Sequence, residues 1–108
     1  MLENLKLMLG IALENTEKDS LLKLLISMTT ARLKGLLGGI DPPESMDYII
    51  TEVTIKRFNR IGSEGLSSHS VEGESLSFND NDFAEFAEDI QDFLAKQKES
   101  TKGRVRFL

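Results

Sequence analysis

With 108 residues, 40% of them hydrophobic and 29% charged, the chain has the size and balance of one globular domain. It contains no Cys, which excludes a disulfide scaffold, a thiolate metal site and a cysteine nucleophile and suits a reducing compartment. The formal net charge of −5 hides an asymmetry: Ile61 to Ala95 holds nine acidic residues and no Lys or Arg, whereas Lys96, Lys98, Lys102, Arg104 and Arg106 stand against Glu99 alone.

The opening MLENLKLMLGIAL is apolar, but Glu3 precedes Lys6, no basic leader stands before it, and it is too short to span a bilayer. It predicts a short amphipathic helix in a cytoplasmic protein. Leu2, Leu5, Leu9 and Ala12 recur three or four apart, and Gly10 closes the helix. Thr16 offers a hydroxyl cap for the next one, with Glu17 and Asp19 in the first turn, where the helix dipole favours acids. That second helix is predicted from Glu17 to Leu37, about 30 Å long at ~1.5 Å per residue. Its apolar stripe reads Leu21, Leu24, Leu25, Met28, Ala31 or Arg32, and Leu36, widened by Leu22, Ile26 and Leu33. Gly38-Gly39 supplies a left-handed stop, and Pro42-Pro43 prevents resumption.

Between Glu44 and Ile61 two signals conflict. Ile49, Ile50, Thr51, Val53, Thr54 and Ile55 are β-branched and favour a strand. Pro43 before the segment, acids at its start, Lys56, Arg57 and Arg60 at its end and Gly62 as a stop favour a helix. The length is excessive for one strand, and Met46, Ile49, Ile50 and Val53 share a helical face, so a helix is predicted. Residues 63–78 change character: apolar residues are sparse, Leu76 and Phe78 alternate with serines, and Glu72-Gly73-Glu74 suits a turn. A protruding loop or β-hairpin is expected, one that orders fully against another chain. Asn79 to Asp82 reads as a cap for the last helix, with Phe83, Phe86, Ala87, Ile90, Phe93 and Leu94 on its inner face; Phe86 and Ile90 are the strongest core candidates.

Residues 100–108 (STKGRVRFL) alternate basic residues with Gly103, Val105 and Phe107, which predicts an extended, flexible tail whose terminal Phe-Leu pair can dock. The expected fold is therefore mainly α: a bundle of three to four helices over residues 1–99, with the loop or hairpin 63–78 and the extended tail 100–108. An acidic body with a basic end argues against a dedicated DNA binder, which carries a basic face. It reads either as a solvated acidic surface or as head-to-tail self-association, the basic end of one copy on the acidic face of the next.

No chemistry emerges. His69, the single histidine, lies between Ser68 and Ser70, but neighbours on an extended segment point to opposite sides and nothing orients the imidazole. Asp80-Asn81-Asp82 resembles the start of a calcium loop, yet Ala84 stands at the third ligand position and the sixth position lacks Gly. Gly35, Gly38 and Gly39 fit no phosphate-binding spacing, and the aromatics form no stacking platform for single strands. No catalytic residue, cofactor or metal is expected.

Taken together, LENLKLMLGI, Asp19-Ser20-Leu21-Leu22, Pro43-Glu44-Ser45-Met46 and above all TEVTIKRFNRIGSEGLSSHSVEGESLSF, in that order and spacing, resemble the small head–tail connector proteins of long-tailed phages and prophages, also called head-completion or DNA-packaging adaptors. The resemblance covers nearly the whole chain. It implies an all-helical, non-enzymatic virion subunit, present in the host cytoplasm before assembly and without membrane contact. Such subunits would form a closed ring of about a dozen copies beneath the portal protein, where a stopper or tail-completion protein docks and DNA passes without sequence-specific binding. By the same resemblance, contacts to neighbours or portal would come from Glu64, Leu66, His69, Val71, Leu76 and Phe78 in the loop. Lys102, Arg104, Arg106, Phe107 and Leu108 would supply them from the tail. The alternative reading is a small regulatory or antitoxin-like helical protein touching DNA through Lys56, Arg57 and Arg60.

Overall fold

A computed structural model describes residues 1–63 and 80–106. Four α-helices follow in order: α1 (Leu2–Leu9), α2 (Asp19–Leu36), α3 (Asp47–Ser63) and α4 (Ala87–Arg106). Glu44–Met46 forms a 3₁₀ turn leading into α3, and Asp80–Phe86 a 3₁₀ segment leading into α4. No strand occurs among the described residues. The mainly α expectation holds in this form; the loop or hairpin at 63–78 falls almost wholly outside the described residues.

Two helices stop where glycine permits it. Gly10 takes φ 76°, its N–H bonds Leu7 O at 3.2 Å, and the Ile11 N–H reaches back to Lys6 O at 2.8 Å. Gly38 repeats the arrangement with φ 77°, its N–H on Gly35 O and the Gly39 N–H on Lys34 O. Both are paired backward bonds that satisfy the last carbonyls of a helix and need a left-handed residue at the turn.

The start of α2 corrects the Thr16 cap. The helix begins at Asp19 with Lys18 before it, and no side chain caps it. Nearby, the Glu17 N–H bonds Asn15 Oδ1 at 3.0 Å, a local turn, and the Asp19 carboxylate goes instead to the Lys6 ammonium. The inner ridge of α2 also differs: Leu22, Leu25, Thr29 and Leu33 are buried, while Leu24 and Met28 are exposed. The predicted stripe is centred too far round the helix because a leucine-rich segment gives several plausible faces, and only the neighbouring helix selects one.

α3 is helical despite its β-branched residues. Met46, Ile49, Ile50 and Val53 are all buried, and they join Leu33, Leu37, Phe83, Phe86 and Ile90 in one core. That burial contributes roughly 1.5–3 kcal/mol per large side chain, against a propensity penalty of at most ~0.7 kcal/mol per residue. The helix runs through Gly62 to Ser63, so Gly62 does not stop it.

At its C-terminal end the chain departs from expectation twice. Phe83 and Phe86 both lie in the 3₁₀ segment, not in α4, and both are buried in the core. Further on, α4 is one helix as far as Arg106, so residues 100–106 are not extended. No proline interrupts Lys96–Arg106, and basic residues suit a helix C-terminus, which outweighs the weak strand-like alternation. Inner positions Ile90, Phe93 and Leu94 pack on the core, but Ala95 to Glu99 are exposed all round, so α4 leaves the body after its first two turns.

Candidate functional site

Three features stand out on this frame: a buried charged cluster, an exposed apolar groove and the projecting half of α4.

The cluster forms where α3 continues its core stripe. Stepping on from Val53 by three or four residues reaches Arg57 and Arg60, and both turn onto Asp82 of the 3₁₀ segment. Arg57 Nε donates to Asp82 Oδ2 at 2.9 Å, and Arg57 Nη1 donates to Thr29 Oγ1 of α2 at 3.1 Å. Arg60 grips the same carboxylate with two nitrogens, Nη1 on Oδ2 at 3.3 Å and Nη2 on Oδ1. The Arg57 guanidinium also lies 5.5 Å from the Phe83 ring centroid. Arg57 is 1% exposed and Asp82 3%. Burial pushes the Asp82 carboxyl upward, but the hydrogen bonds and charges of Arg60 and Arg57 outweigh it and hold the group below the usual carboxylate range. Lys56 reinforces the junction, with Nζ on the Asp82 carbonyl at 3.3 Å and on Glu85 at 2.9 Å. That bond takes up a carbonyl at the point where the backbone is 3₁₀ and not α. The cluster thus ties α2, α3 and the 3₁₀ segment together, a structural task. It also counts against the alternative DNA contact: Arg57 is buried, and Lys56, Arg57 and Arg60 are all turned onto carboxylates of their own chain.

A second buried cation, Lys6, ties the first turn. Its Nζ donates to Leu13 O at 3.0 Å and lies 2.7 Å from Asp19 Oδ1, so α1, the following turn and α2 are held by one ammonium. Sequence reasoning misses both Lys6 and Asp82, since it uses Lys6 only in arguing against a leader segment and assigns Asp82 to a helix cap.

Between α1 and the start of α3 lies an open groove of about 460 Å³. Leu7, Met8 and Tyr48 give it an apolar lining, and Asp47 and Glu52 stand on α3 beside them. Leu7 is 63% exposed and Met8 61%, unusual values for large apolar side chains on a packed helix. The Tyr48 ring meets Phe86 edge-on at 5.8 Å, and its hydroxyl donates to Asp89 Oδ2 at 2.5 Å. That hydrogen bond, with burial and the charges of Asp89 and Glu52, raises the phenol above its ordinary range.

Of the interface residues expected from sequence, Glu64, Leu66, His69, Val71, Leu76, Phe78, Phe107 and Leu108 lie outside the described residues. Lys102, Arg104 and Arg106 are placed on the last turns of α4. Among the described residues, no group of three His, Cys, Asp or Glu is arranged to hold a metal ion, and no helix is long and apolar enough to cross a membrane.

The model of the family described as phage gp6-like head-tail connector protein matches residues 1–93. The chain belongs to this family. It is a structural family of the phage particle, and the match covers α1, α2, α3 and the packed start of α4 while ending before the exposed, basic part of the connector's last helix. No curated protein and no solved structure matches the chain.

Proposed function

We propose that this chain is the adaptor subunit of a phage head–tail connector, assembling as a ring under the portal protein, extending the DNA channel and offering a surface to stopper or tail-completion proteins. The observation that carries the reading is the family match over residues 1–93. The acidic body agrees with it: a channel that DNA slides through should not grip phosphates, and the cations nearest the body surface on α3 are turned inward onto Asp82 and Glu85. Residues 1–99 act as the body and 100–108 as the docking end, with the 64–78 loop as the second contact to neighbours or portal. The subunit waits in the host cytoplasm and ends in the virion.

Mixing the purified chain with the portal protein of the same genome and following co-elution tests the reading. A discrete complex is expected, weakened when Ser100–Leu108 is deleted while the helical circular dichroism of the body is kept. Absence of any complex across the full salt range overturns it.

A further inference from the structure

We propose that the groove between α1 and the start of α3 receives the basic, Phe-Leu-ended C-terminus of a second copy of this chain. The proposal rests on the ring assembly proposed for the connector and names the contact that closes it.

Three observations lead there. The groove is apolar on its floor, with Leu7, Met8 and Tyr48 open to solvent, and its charged lining is Asp47 and Glu52, with no cation among the described residues that form it. The segment with the complementary chemistry is in the same sequence: Lys102, Arg104 and Arg106 precede Phe107 and Leu108, two apolar residues behind three positive charges. Opposite potentials of this kind steer association and fix register.

Geometry then decides whose C-terminus it is. Asp89, near the start of α4, is bonded to Tyr48 at the groove, which pins the near end of that helix there. Because α4 is continuous to Arg106, the seventeen residues from Asp89 carry that residue about 25 Å away. The remaining two residues reach back ~7 Å at most. A chain therefore cannot fill its own groove without breaking α4, whereas the next copy can. Groove and C-terminus are different surfaces, so the contact is heterologous, and head-to-tail contacts of this kind generate rings when the rotation closes. One apolar pair with charged flanks makes a weak joint, and closure of the ring multiplies it.

Charge exchange in the full-length chain tests this by sedimentation velocity at about 50 mM salt, where screening is weak. The wild type should self-associate as its concentration rises and dissociate at high salt. Asp47→Lys with Glu52→Lys should raise the concentration of half-association at least ~10-fold, and so should Lys102→Glu with Arg104→Glu and Arg106→Glu. An equimolar mixture of these two variants should associate again, because one then has a basic groove and the other an acidic end. That recovery also shows that both variants are folded. A wild type that stays monomeric, a groove reversal without effect, or a mixture that stays monomeric overturns the proposal. Portal enters none of these samples. A chain that binds portal while failing here loses only the groove contact, and one that passes here while failing to bind portal loses only the adaptor reading.

Discussion

The Arg57–Asp82 cluster and the α1/α3 groove invert the usual placement of side chains. In the first, charged groups lie inside, with every oxygen of the Asp82 carboxylate taken by a guanidinium. In the second, Leu7 and Met8 lie outside, with nothing from the described chain over them. A buried charge is tolerable only when paired, so the cluster is finished within one subunit. An exposed apolar groove has no such demand, and its gain is realised only when something covers it. The first region should therefore govern folding and the second assembly, and substitutions can separate the two.

The largest effects belong to the inner region. Asp82→Ala leaves Arg57 buried without its carboxylate and should cost about 3–5 kcal/mol in urea unfolding, with no change in the assembly of whatever protein remains folded. Phe86→Ala, which empties a 7%-exposed core position and removes the edge contact to Tyr48, should cost a similar ~3–5 kcal/mol. A loss under roughly 1 kcal/mol at either position would erase the contrast between cluster and groove.

Acid should act on the same cluster. The folded Asp82 carboxyl titrates below its ordinary value, so its contribution is complete above the unfolded pKa and fades as pH falls through the folded one. Denaturation midpoints followed downward from about pH 5 should decline, and Asp82→Asn should flatten part of that decline. A wild type and variant with parallel pH profiles would show that the cluster does not carry it.

Smaller changes sharpen the comparison from the other side. Glu85→Gln breaks an ion pair that is largely in water and should cost no more than ~1 kcal/mol. Leu7→Gln keeps helix propensity and removes an apolar surface from the groove; stability should stay within ~0.5 kcal/mol while self-association weakens. Should Leu7→Gln unfold the chain, the groove would be core and not a contact face.

Much of the fold is legible in local stretches of the chain. The identity of the first three helices and of the packed start of the fourth, the glycine stops at Gly10 and Gly38, the core face Met46-Ile49-Ile50-Val53 and the burial of Phe86 and Ile90 all follow from periodicity and turn chemistry. The candidate site is less so. Arg57 sits on the continuation of the α3 core stripe, a signal present in the spacing, but cations near a helix C-terminus are explained equally well by the dipole. Its partner Asp82 lies 25 residues away, and no local pattern joins them.

The order of residues alone dictates where helices begin to be favoured, which side chains must leave water, and that a basic segment follows an acidic one, because these depend on neighbours within a few positions along the chain. Packing in three dimensions settles the rest: which of the possible faces of α2 is inner, that Lys6 and Asp82 tie their surroundings, and that Leu7 and Met8 stay outside. Those outcomes depend on which groups meet across space. A charge is fastened or a leucine left bare only when other helices have taken their places.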